Sequence, residues 1–147
     1  MRQALAGTVL LGMASAWGST GAEVAAMQGK TQRDGVFTLE QAKRGETLYA
    51  RSCASCHGAD LATGEAPALT GPDFATAWND LTLGDLFERI RIGMPQDKPG
   101  SLSHVQTADV VAFILFKGEN AAGQVELPTV LEELKSIKFL ATASSTP

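Results

Sequence analysis

Two cysteines separated by two residues, with a histidine directly behind the second, occupy Cys53-Ala54-Ser55-Cys56-His57, and no other stretch constrains the fold as tightly. The spacing C-x-x-C-H is the attachment pattern for c-type haem. Each thiol can add across a haem vinyl group, and the residue after Cys56 is then held beneath the iron, which makes His57 the proximal ligand. Other uses of the same residue types fit less well. A structural zinc site needs four nitrogen or sulfur ligands, and beyond the motif the chain offers only His104. A thioredoxin-like dithiol belongs beside alternating strand and helix patterns, which this sequence lacks. A disulfide between cysteines three apart in a helix-like run closes a small, strained ring.

At 147 residues the chain has room for one domain with length left over for its ends. A formal charge of -4 and only 19% charged residues exclude a basic nucleic-acid surface. Aromatic residues make up 6%, so much of the usual aromatic core volume is missing. A large apolar ring system would fill that space.

The chain opens Met1-Arg2-Gln3 and then runs from Ala4 to Ala16 almost without polarity. A short positive segment ahead of such a run is the pattern of a secretory signal peptide, and the run is short for a membrane span, which takes about 20 apolar residues. Residues 1–26 are therefore expected to hold the signal peptide and the start of an arm, with cleavage after Ala16 or between Ala22 and Ala26. Export to the periplasm agrees with haem attachment outside the cytoplasm. Membrane contact is expected only if the leader stays uncleaved.

Residues 27–36 read as a flexible linker, since they are polar and carry no apolar period. The pairs Thr38/Gln41, Thr82/Asp85 and Ser103/Gln106 are capping boxes. They open three helices, reaching Ser52, Gly93 as a C-cap, and Lys117-Gly118. The third is apolar around most of its circumference and should be the best buried. Between the motif and the second helix, residues 58–79 read as a wrapping loop, blocked by Gly64, Pro67, Gly71 and Pro72. Thr129 with Glu132 predicts a short amphipathic helix carrying Leu131, Leu134 and Ile137. The expected domains are 37–118 for the haem-binding body, 119–140 for a C-terminal extension and 141–147 for a disordered tail.

The order helix, C-x-x-C-H, proline-containing loop, helix, methionine, final helix resembles a class I c-type cytochrome over residues 38–117. The resemblance implies an all-α cytochrome c fold: three core helices around one covalently bound haem c, plus the short C-terminal helix. It implies haem thioethers at Cys53 and Cys56, and it places Gly45 against Val110 and Tyr49 against Phe113. It also makes the carbonyl of Pro67 the acceptor of the His57 N–H, which would orient the ring and raise its basicity. Met94 becomes the sixth ligand. Met1, Met13 and Met27 lie in the leader or arm, whereas Met94 follows a helix, precedes a proline and stands 37 positions beyond His57. A core-filling role is the competing account of Met94, and His104 is the rival ligand, expected in the first turn of a helix facing solvent. Trp78 is a candidate indole donor to a propionate, against simple packing.

The phrases Leu81-Thr82-Leu83-Gly84-Asp85-Leu86-Phe87 and Met94-Pro95-Gln96-Asp97-Lys98-Pro99-Gly100-Ser101-Leu102-Ser103 are similar to cytochromes c found with bacterial quinoprotein (PQQ) dehydrogenases. The expectation is a periplasmic one-electron carrier and not an enzyme. Its redox protein partners would be a PQQ-dependent dehydrogenase and a terminal oxidase. Two alternatives stand beside it: a haem subunit fixed in a larger complex and docked through the C-terminal helix, and a haem enzyme or sensor with a labile sixth position.

Overall fold

The computed structural model describes residues 29–141. The expected signal peptide and all but the first residue of the expected tail lie outside the described residues. Among the described residues six helices follow in order: α1 Leu39–Ser52, α2 Ala54–His57, α3 Gly71–Trp78, α4 Leu83–Gly93, α5 His104–Lys117 and α6 Leu131–Lys135. Among the described residues the only extended pairings are two isolated bridges, Thr31 with Lys138 and Thr82 with Lys138. The fold is all-α.

The most extensive packing joins α1 to α5. In α5 every residue from Thr107 to Leu115 is buried, as its nearly unbroken apolar run requires. α1 can lie close to it because Gly45 has no side chain. A Cβ at that position would overlap the Asp109 carbonyl and press on the Phe113 Cβ. The contact therefore falls on Asp109 and Phe113, one residue before and three residues after the expected Val110. The Tyr49 and Phe113 rings sit with centroids 5.3 Å apart. Beside the crossing, Arg44 grips the buried Asp109 carboxylate through two nitrogens, at 2.9 and 3.1 Å, and reaches Glu126 at 2.9 Å. These carboxylates raise the guanidinium pKa above its ordinary value.

Capping follows local chemistry at two of the three helices. Thr82/Asp85 and Ser103/Gln106 close full capping boxes. At α1 only half the box forms, because the Gln41 side chain turns inward to the backbone of Leu127. α4 includes Gly93 as its last residue, which corrects the expected glycine cap. Its cap is Met94, in the extended conformation that a position before proline favours. The Thr129/Glu132 box does not form, and α6 is capped by Val130.

The expected loop 58–79 contains a helix, α3. Pro72, expected to block regular structure, stands in the first turn of α3, where a missing N–H costs nothing. The linker expectation for 27–36 also differs over its described part. Val36 is buried, and Gln32 is buried with both ends of its amide bonded to the backbone of Leu140. This contact is made by hydrogen bonds and not by an apolar stripe, so periodicity does not show it.

The C-terminal extension lies across α4. Gly84 admits it: a Cβ there would meet Lys135 Cγ at 2.6 Å and Lys135 N at 2.9 Å. Backbone bonds run from Leu83 N to Ile137 O at 2.9 Å and from Phe139 N to Leu81 O at 2.8 Å. Leu134 and Ile137 are buried in the domain's own core.

Candidate haem site

α1 runs almost directly into the motif. The Cys53 carbonyl accepts the N–H groups of Cys56 at 3.1 Å and His57 at 3.0 Å, so α2 is a single turn that carries Cys56 and His57 and is capped by Cys53. Gly58 ends the turn with φ +80°, a conformation L side chains rarely adopt. The loop then folds back onto the motif. Ala66 N donates to Cys56 O at 2.9 Å, and Gly64 fits because a Cβ there would overlap that same carbonyl.

His57 Nδ1 lies 2.8 Å from the Pro67 carbonyl oxygen. A carbonyl can only accept, so Nδ1 carries the proton and Nε2 keeps its lone pair free. Cys53 and Cys56 are free thiols, the first half-buried and the second exposed. Burial, and secondarily the neighbouring Cys56, pushes the Cys53 thiol up to about 11. Among the described residues no three His, Cys, Asp or Glu side chains converge as a metal-holding group. Two adjacent thiols beside a pre-oriented imidazole fit a tethered macrocycle better than a four-ligand ion.

The other predicted residues arrive from separate elements. Met94, half-buried against the core, caps α4 with its N–H on Ile90 O at 2.9 Å. Trp78 is the last residue of α3 and not a loop residue. Its ring lies 6.0 Å from that of Phe74, which meets Phe139 edge-on at 5.7 Å. His104 is exposed and stacks on Phe87 at 5.9 Å.

Sequence reasoning missed two contacts at the motif. The Tyr49 hydroxyl donates to Gly58 O at 2.7 Å. Leu61, fully buried with φ +66°, has its N–H on Gly58 O at 3.2 Å and its carbonyl on Leu69 N at 2.7 Å. Nothing in the sequence marked Leu61. The resemblance places Tyr49 only as a packing partner of Phe113, although a buried tyrosine hydroxyl usually needs a hydrogen-bond partner.

No described helix is long and apolar enough to cross a membrane. Among curated proteins none matches the chain. Among solved structures it is similar to the sulfane dehydrogenase SoxCD from Paracoccus pantotrophus, with 21% identity, 90% of this chain and 68% of that one covered, and a TM-score of 0.47. The family model described as cytochrome C oxidase, cbb3-type, subunit III matches residues 40–114, which run from the first turn of α1 into the last turn of α5. That match takes in over half of the chain, including the whole C-x-x-C-H turn, the His57–Pro67 bond and Met94. The chain thus belongs to this family, as a class I c-type cytochrome that carries one covalently bound haem c and transfers electrons.

Proposed function

We propose that the chain is a periplasmic one-electron carrier in which Cys53 and Cys56 would hold the haem through thioethers and His57 and Met94 would hold its iron. The His57–Pro67 hydrogen bond is the observation that carries this reading, because it leaves one imidazole lone pair free and aimed by the fold. The bound haem supplies a one-electron couple, and pairing a thioether with an imidazole raises its potential. Residues of the chain do the remaining work. Pro67 fixes the ring of His57, the α4 cap sets the backbone of Met94, and Trp78 would hold a propionate through its indole N–H. Were His57 and Met94 both to hold the iron, no open site would be left for a substrate, which separates a carrier from a haem enzyme.

The partners proposed are a PQQ-dependent dehydrogenase as donor and a terminal oxidase as acceptor, docking over a small interface. The acidic balance of the sequence favours a basic partner surface and an association that salt weakens. A second reading, a haem subunit fixed in an oxidase, is favoured by the description of the matched family. It cannot use the apolar side of α6, since Leu134 is buried within the domain. Size exclusion of native extract distinguishes the two, by elution alone or within a large complex.

The deciding experiment is an optical spectrum of the purified protein with and without reductant. The ferric form is expected to show the weak near-infrared methionine-to-iron band, and Met94→Ala to abolish it. Rapid binding of cyanide or carbon monoxide by the intact protein would overturn the reading in favour of a labile sixth position.

A further inference from the structure

We infer that the Tyr49 phenol is a positioning residue for His57, an inference that rests on reading His57 as the proximal ligand. The Gly58 carbonyl, one peptide beyond His57, is the acceptor for two donors: the Tyr49 hydroxyl at 2.7 Å and the Leu61 N–H at 3.2 Å. Leu61 in turn holds Leu69 N at 2.7 Å, two residues past Pro67. The imidazole is therefore fixed from both sides through one oxygen. The peptide that follows it is tied to α1, and the loop carrying its hydrogen-bond acceptor is tied to the same point.

Packing alone does not require the hydroxyl. Tyr49 is 2% exposed and its ring already packs at a tilt against Phe113, a contact that a phenylalanine would keep. What phenylalanine would lose is the donor to Gly58. A half-buried carbonyl deprived of one of its two donors is left more negative beside the ligand, and the proximal peptide gains freedom to rotate. Extra negative potential near a haem favours the ferric state, so removing the donor lowers the reduction potential. Rotational freedom at the ligand alters the pattern of the haem methyl proton shifts in the ferric protein, which follow axial-ligand orientation.

The test compares the haem-loaded wild type with Tyr49→Phe by redox titration and by proton NMR of the ferric form. A downward shift in midpoint potential with a changed methyl pattern, while the methionine band persists, supports the assignment. A variant that is less stable yet matches wild type in both readouts overturns it and leaves Tyr49 a packing residue. 3-Fluorotyrosine at position 49 keeps the hydroxyl and makes it a stronger donor. It is expected to shift the potential upward, so it tests the assignment even if the phenylalanine variant fails to fold. An unmoved potential there counts against the assignment. A wild-type chain lacking haem, or the methionine band, overturns the parent reading together with this one, and is seen before any variant is made.

Discussion

Gln41 binds Leu127 with both ends of its side chain. Nε2 donates to the Leu127 carbonyl at 3.1 Å, and Oε1 accepts the Leu127 N–H at 2.7 Å, across 86 positions of sequence. All four groups are buried, so each depends on the other pair for its hydrogen bond. Gln41→Leu keeps the volume and strands the backbone of Leu127. It is expected to cost about 2 to 3 kcal/mol, read as a lower midpoint in urea denaturation followed by far-UV circular dichroism.

Two helical glycines should respond in opposite directions. Gly45→Ala forces a methyl into the Asp109 carbonyl and the Phe113 Cβ, which are held by the α1–α5 crossing. A loss of about 3 kcal/mol is expected, with spread of the two helices. Gly93 has open space around it and an ordinary helical φ, so Gly93→Ala is expected to gain up to about 1 kcal/mol. Thermal melts of the two variants, side by side, check the contrast.

The Asp85 carboxylate accepts the Thr82 N–H and Thr82 hydroxyl, each at 2.7 Å. The Thr82 hydroxyl first, then the Thr82 backbone, with help from Lys135 and Lys138, holds Asp85 below its ordinary pKa. A depressed folded-state pKa means that the stabilisation is complete above the unfolded value, about 3.9. It is lost as pH falls through the lower folded value. Asp85→Ala is expected to cost about 1 kcal/mol at pH 7, with the gap to wild type narrowing in melts at pH 3 and below. A gap that widens on acidification would contradict this.

Arg44 serves two carboxylates with unequal consequences. Asp109 is 6% exposed, whereas the Glu126 side chain is 52% exposed. Arg44→Met leaves Asp109 buried without its cation and should cost about 2 kcal/mol, moderated by the exposure of the arginine itself. Glu126→Gln should stay within about 0.5 kcal/mol. Equal losses in a denaturation series would show that the surface pair matters as much as the buried one.

What could be read from sequence is what depends on neighbours in sequence. The caps of α4 and α5 are local exchanges between residues three apart, and the apolar run of α5 already implies burial on all sides. The motif is equally local, since one helical turn brings Cys53, Cys56 and His57 together. Pro72 was ambiguous because proline both opens and breaks helices, and only the surrounding structure decides which. The amides of Gln32 and Gln41 look like ordinary surface polarity, because their partners lie 108 and 86 positions away. The Tyr49–Gly58 bond spans only nine residues, but it needs the turn at Gly58 before it has a direction.

Lys138 pairs with Thr31 on one side and Thr82 on the other, so the two extremities of the folded body are stitched to the same seam. A nick in the exposed stretch 124–126 would therefore not release the downstream fragment. The cut molecule should migrate as one particle and come apart only when it is unfolded.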